Sequence, residues 1–268
     1  MSYFTNKVAV VTGGSEGIGR ALVEQLLAEG CKVATCGRNA DKLYDLQLHN
    51  PNQPLHTIVA DVSRESDCRQ FIDSTIKAFG TIDILINNAG LSMRGLFKDT
   101  TIETYQRLMN VNFWGSVYCT KFALPHLLAS KGTVAGVSSI AGYRGLPGRG
   151  GYSASKYALQ GWLEALRTEM LDTGVHVMWV CPGFTESNIR FAALPHEGKP
   201  QGHTTMEEGK MMPAPVVARH ILDAIATRKR TIVLTRQGKL TVWLNRLFPA
   251  FADKMVHRFF FKNGELVK

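Results

Sequence analysis

Val8-Ala-Val-Val-Thr-Gly-Gly-Ser-Glu-Gly-Ile-Gly19 is an apolar run that ends in a glycine-rich turn, and the chain then carries Leu22, Leu26 and Leu27 at helical spacing. This is the pattern of a strand, a tight turn and a helix. Residues 32–36, 55–60, 82–86, 133–137, 175–180 and 231–234 read as further strands, separated by stretches of helical periodicity. Strands that alternate in this way with helices imply a parallel sheet covered on both faces. The expected fold is therefore α/β, a single doubly wound Rossmann-type sheet. It occupies residues 1–235, with no internal repeat or interdomain linker. One long helix is expected from Tyr105 through Leu108, Phe113, Val117 and Phe122 to Leu127.

The glycines at 13, 17 and 19 let the backbone approach a pyrophosphate, and the amides and dipole of the following helix favour its charge. Ser15 and Ile18 lie in the same turn. The end of the second strand reads Cys36-Gly-Arg38, with no carboxylate where a ribose hydroxyl would need one. Arg38 instead offers a planar fork to a 2′-phosphate, so NADP(H) is the expected cofactor. Glu16 opposes that phosphate if it points inward. Asp61 and Val62 end the third strand and are placed at an adenine edge, while Asn88, Ala89 and Gly90 end the fourth near mid-sheet.

Tyr152 and Lys156 lie one helical turn apart, which sets the ammonium near the phenol and is expected to lower its pKa. Ser139 would hold the reacting oxygen by a hydrogen bond. Taken by itself, such a tyrosine–lysine pair is commonly an ordinary helix-surface pair; the glycine turn upstream and Ser139 give it its meaning.

Taken in order, these motifs, together with Asn112, Pro182 and Gly183, resemble those of the short-chain dehydrogenase/reductase family over about residues 7–235. The resemblance implies a catalytic set of Asn112, Ser139, Tyr152 and Lys156. Tyr152 would be the general acid in reduction and the base in oxidation, Lys156 would bind the nicotinamide ribose, and Asn112 would help position a water. Family spacing selects Ser139 over Ser138 and Asn112 over Asn110. Pro182, Gly183 and Thr185 would approach the nicotinamide carboxamide, and Ser187 stands near where the family often has a threonine. The reaction implied is hydride transfer between nicotinamide and a carbonyl or alcohol, in a homodimer or homotetramer. An alcohol dehydrogenase working in the opposite direction and a non-catalytic NADPH-binding regulator are the alternatives.

The 268 residues are 45% hydrophobic, enough for a sizeable core, and the N-terminus lacks a signal-peptide pattern, so a cytoplasmic protein is expected. The five cysteines are scattered and odd in number, pointing to reduced, packed thiols, and no histidine pair has metal-ligand spacing; no metal is expected. Nearly all of the +9 net charge sits at the end: residues 228–268 hold ten Lys/Arg against two Asp/Glu. Nucleic acid is not an expected partner, since the basic stretch lacks a reader fold.

Residues 186–212 form a long connection read as a substrate lid. Phe184, Ile189, Phe191, Leu194, Met206, Met211 and Met212 would give it an apolar lining suited to an apolar carbonyl or alcohol. Packing of the loop onto the body would explain the same residues. Arg144, Arg149 and Arg190 are candidates to border the pocket. Residues 236–268 form a basic amphipathic extension, with Leu240, Trp243, Leu244, Leu247, Phe248, Phe251 and Met255 at helical spacing. It suits peripheral contact with an anionic membrane, a lid over the cleft or a subunit contact.

Overall fold

In chain order the protein forms β1 (Val8–Thr12), α1 (Gly17–Ala28), β2 (Lys32–Gly37), α2 (Ala40–His49), β3 (Leu55–Val59), α3 (Glu65–Phe79) and β4 (Ile84–Asn87). There follow β5 (Met93–Arg94), α4 (Ile102–Met109), a π-helical turn (Asn110–Trp114), α5 (Gly115–Ser130), β6 (Thr133–Val137) and α6 (Gly150–Glu169). The chain ends with β7 (His176–Cys181), β8 (Leu194–Pro195), α7 (Ala214–Ala226), β9 (Thr231–Val233), α8 (Arg236–Leu247), α9 (Pro249–Phe260), β10 (Phe261–Lys262) and β11 (Glu265–Leu266). This is a computed structural model; it describes residues 2–183, 185, 194–195 and 211–267.

The main sheet has the order β3-β2-β1-β4-β6-β7-β9, and every pairing in it is parallel. Side chains alternate across it because successive residues of a strand point to opposite faces. Val10, Leu85, Val134 and Val177 pack beneath α3, α5 and α6, against Phe71, Ile72, Leu127, Leu159 and Leu163. Val11, Ile86, Ala135 and Val180 pack on the other face against Leu22 and Leu26 of α1 and Ile221 and Ile225 of α7. The chain folds as a doubly wound Rossmann-type sheet. The strand order reverses direction between β1 and β4, so the connections leaving these two strands go to opposite faces and leave a crevice at their carboxyl ends.

The helix expected from Tyr105 to Leu127 is interrupted. A π turn inserts one extra residue at 110–114, between α4 and α5, and carries buried Asn112. All five cysteines are buried and unpaired; burial pushes the thiols of Cys31, Cys36 and Cys181 up to about 12. Of the lid, Phe184, Ser187, Ile189, Arg190, Phe191 and Met206 lie outside the described residues. Met211 is buried, and Met212 bridges Thr185 through the backbone.

Candidate active site

The carboxyl ends of β1, β2, β3, β4, β6 and β7 border one cleft of about 490 Å³. Its floor is the glycine turn. Gly13 has φ +68°, a conformation that disfavours a side chain, and a Cβ there would press on Ala89 at 3.0 Å from its Cα. A Cβ on Gly19 would collide with the Gly13 carbonyl, so β4, the turn and α1 meet with no room for side chains. The N-terminus of α1 has no side-chain cap, and its amide groups stand at the cleft. Uncapped amides at a helix start fit a phosphate, and the donor set here fits a dinucleotide.

Thr12 ties the turn to β4. Its buried hydroxyl accepts hydrogen bonds from the amides of Asn88 and Ala89, both at 3.0 Å, while Asn88 Nδ2 donates back to the carbonyls of Thr12 and Gly13 at 2.9 and 3.1 Å. Asp61 is fixed by Ser63, whose amide and hydroxyl donate to its carboxylate. Val62, Ser15, Gly17, Ile18, Gly90, Pro182, Gly183 and Thr185 also line the cleft.

At the end of β2 the cleft meets Arg38, Asn39 and Lys42. Arg38 is exposed, and among the described residues it pairs with no carboxylate. Glu16 reaches the cleft too, but its carboxylate is bound by the Lys42 ammonium at 2.5 Å. The acid that would oppose a phosphate is thereby offset. Lys42 was not singled out in the sequence; it lies four residues past Arg38, in the first turn of α2, and that spacing is the signal that marks it.

At the other end stand Ser139, Tyr152 and Lys156. Ser139 follows β6 and accepts from the Ala141 amide at 3.2 Å, while Ser138 is occupied with Gln160, whose Nε2 donates to it at 2.8 Å. The Lys156 ammonium donates to the Val137 carbonyl at 2.8 Å and sits 5.7 Å from the Tyr152 ring centre. The expected lowering of the phenol is not found. Burial raises the Tyr152 pKa above its ordinary value, against a hydrogen bond with Ser139 and the charge of Arg149, which pull it down. Burial also drives Lys156 down, from 10.5 to about 8.

Asn112 stands behind the cleft wall. Its Oδ1 accepts from the Leu91 amide at 2.7 Å, and its Nδ2 donates to the Leu91 carbonyl at 3.0 Å and to Ser155 Oγ at 2.9 Å. It clamps the segment after β4 to α6 one residue before Lys156. A Cβ on Gly90 would lie 3.3 Å from Asn112 Oδ1 and 3.6 Å from Lys156 Nζ, so both groups converge on the Gly90 backbone. Arg149 lines the cleft and donates to Ser92 at 3.3 Å; Arg144 instead points away, to Asn245 at 2.9 Å and to Asp253 at 2.5 Å.

The crevice of a doubly wound sheet, a phosphate-ready helix start at one end and a serine, tyrosine and lysine at the other define a nucleotide-dependent oxidoreductase class of site. The short chain dehydrogenase family pattern matches residues 7–197, and the chain belongs to that family. The mouse protein called dehydrogenase/reductase SDR family member 7B is 32% identical over 260 residues, covering 92% of this chain and 79% of that protein. An Arabidopsis thaliana protein called 11-beta-hydroxysteroid dehydrogenase 1A is 33% identical over 259 residues, covering 92% and 73%. A solved Caenorhabditis elegans short-chain dehydrogenase/reductase of unknown function, with cofactor, superposes with a TM-score of 0.78 at 28% identity, covering 88% of this chain and 96% of that one. A Burkholderia phymatum member in complex with NAD superposes at 0.81 with 23% identity, covering 94% and 96%.

Proposed function

We propose that the protein is an NADP(H)-dependent oxidoreductase that interconverts a carbonyl and an alcohol on an apolar small molecule. The observation that carries this is the convergence of Ser139, Tyr152 and Lys156 on the cleft that holds the uncapped start of α1 and the cations at the end of β2. The bound dinucleotide supplies or accepts the hydride. In the reductive direction the Tyr152 hydroxyl gives its proton to the carbonyl oxygen, and Ser139 donates a hydrogen bond to that same oxygen. The raised phenol pKa keeps the acid loaded at neutral pH. Lys156, held at about 8 by burial, exchanges its proton near the working range. Asn112 is a positioning residue that fixes the Gly90–Leu91 backbone against α6.

Preference for the phosphorylated cofactor rests on Arg38 and on the pairing of Glu16 with Lys42. The apolar substrate is supported by the name of the Arabidopsis relative, a hydroxysteroid dehydrogenase. Contact with an anionic membrane is supported by Leu240, Trp243, Leu247, Phe248, Phe251 and Met255, each 44 to 54% exposed along α8 and α9 and interleaved with Lys239, Arg246 and Lys254. Among the described residues no helix is long and apolar enough to cross a membrane.

Titration of the protein with NADPH and NADH separately tests the reading. NADPH should bind more tightly, and Arg38→Ala should weaken it by roughly ten- to a hundredfold, the scale of one charge-assisted contact, with little effect on NADH. Tighter NADH binding reverses the cofactor assignment, and binding of neither removes the enzymatic reading.

A further inference from the structure

A second concavity of about 760 Å³ lies between the loop that precedes α6 and the helix α9. Its apolar wall is Leu146, Pro147 and Val256, and its polar rim is Lys254, His257 and Arg258 together with Arg144 and Asp253. Leu146 also lines the nucleotide cleft, and Ser153, the residue after Tyr152, lines this groove. The two spaces therefore share a wall at the reacting end of the site. The Leu146 amide donates to Ser153 Oγ at 3.2 Å, which pins the dividing loop to α6.

The charges are not balanced. Asp253 is taken up by Arg144, which also donates to Asn245, and among the described residues the buried Nε of Arg144 has no partner. Lys254 and Arg258 lie four residues apart on one side of α9, so both ammonium and guanidinium face the same stretch of rim. An apolar trough with an unoffset pair of cations at its mouth matches a ligand whose body is apolar and whose end is an anion.

We propose that this groove is the distal subsite of the reductase, taking the far end of a substrate whose apolar chain carries an anionic terminus, a carboxylate or sulfate, while its carbonyl lies at Tyr152. The inference rests on the oxidoreductase reading and names its substrate class as an anionic amphiphile. Helix α9 then determines specificity, because it supplies Lys254 and Arg258, the two rim cations that no carboxylate offsets among the described residues.

The test compares a long-chain oxo-carboxylate with its methyl ester, alongside the small neutral diketone diacetyl. Two exposed charge pairs are together worth about 1.4 kcal/mol, or tenfold. The parent should show a KM about tenfold lower for the acid than for the ester at similar kcat. In the double variant Lys254→Ser, Arg258→Ser the two KM values should converge, with NADPH titration showing that the variant is folded. Reduction of diacetyl without acid-over-ester preference, or with a preference that the variant keeps, overturns the distal subsite and leaves the reductase reading intact. The same holds if neither long-chain compound turns over. Failure to reduce any of the three overturns the reductase reading and the subsite with it. Loss of binding to phosphatidylserine vesicles in the double variant, with the KM ratio unmoved, assigns the cations to a lipid surface and also overturns the proposal.

Discussion

Lys156 should cost the free protein stability, and replacing it with methionine should make the enzyme inert but harder to unfold. Lys156 is only 4% exposed, and burial, opposed in part by Cys181, moves its pKa from 10.5 to about 8. At about 1.4 kcal/mol per pH unit, holding the charge inside costs about 3 kcal/mol wherever the folded protein keeps the proton. Methionine fills the same volume and forfeits the bond to the Val137 carbonyl, worth about 1 kcal/mol. The variant should therefore be more stable by about 2 kcal/mol at pH 7, a rise of roughly 4–8 °C in melting temperature. The pH dependence carries the stronger test. Below pH 8 both folded and unfolded parent chains hold the proton, so the full penalty applies. Between 8 and 10.5 the unfolded chain binds a proton that the folded one has lost, so the parent gains stability with rising pH. By pH 9.5 it should have recovered about 2 kcal/mol and drawn level with the variant. Denaturant unfolding of both proteins without cofactor, at pH 7 and 9.5, measures this. A stability gap that stays constant across that interval, or a variant weaker than the parent at pH 7, would refute the account of Lys156 as an uncompensated buried charge.

Tyr152→Phe should lower kcat by roughly 10²- to 10⁴-fold, the range of a lost general acid, while NADPH affinity measured by fluorescence titration falls no more than a few fold; retention of turnover would move the acid elsewhere. Thr12→Val leaves the amides of Asn88 and Ala89 without their acceptor in a buried place. It should cost about 2 kcal/mol, or roughly 4–8 °C in a thermal melt, and also raise the Kd for NADPH. An unchanged melt would mean that the turn does not depend on that clasp.

The sheet was legible because its central strands are buried on both faces and read as short apolar runs, β1 as Val8-Ala-Val-Val11 above all, whereas the edge strand β3, Leu55-His-Thr-Ile-Val59, is half-buried and carries a weaker pattern. The glycine turn was legible because only glycine fits where Gly13 and Gly19 approach their neighbours. The π turn was not read, because the five-residue step from Leu108 to Phe113 recurs from Val117 to Phe122 and from Phe122 to Leu127 inside the regular helix α5, so the spacing does not mark it. That extra residue rotates Asn112 to meet Leu91 and Ser155. The direction of Lys156 was not legible either. Helical spacing fixes where its Cβ lies relative to Tyr152, but the end of a flexible side chain goes to the best acceptor in a dry site, here the Val137 carbonyl.

The extension shows a different limit. Its amphipathic spacing was plain, yet which side would be used was not, because that depends on partners about a hundred residues away: Arg144 meeting Asn245 and Asp253, and the Tyr143 carbonyl accepting from Asn245 Nδ2 at 2.8 Å. Those bonds join α8 and α9 to the loop that carries Leu146, and that loop is bonded in turn to Ser153, the residue after Tyr152. A segment outside the sheet is thus mechanically continuous with the reacting end of the cleft. Three of the sequence's open choices for it, membrane, cleft and partner surface, concern different sides of the same helices: polar contacts hold one side on the loop, and Trp243, Phe248 and Phe251 remain outward. Occupation of the outward side by lipid or by another chain would be felt at the groove through α9, since Val256 and Arg258 lie on the same helix as Phe251 and Met255.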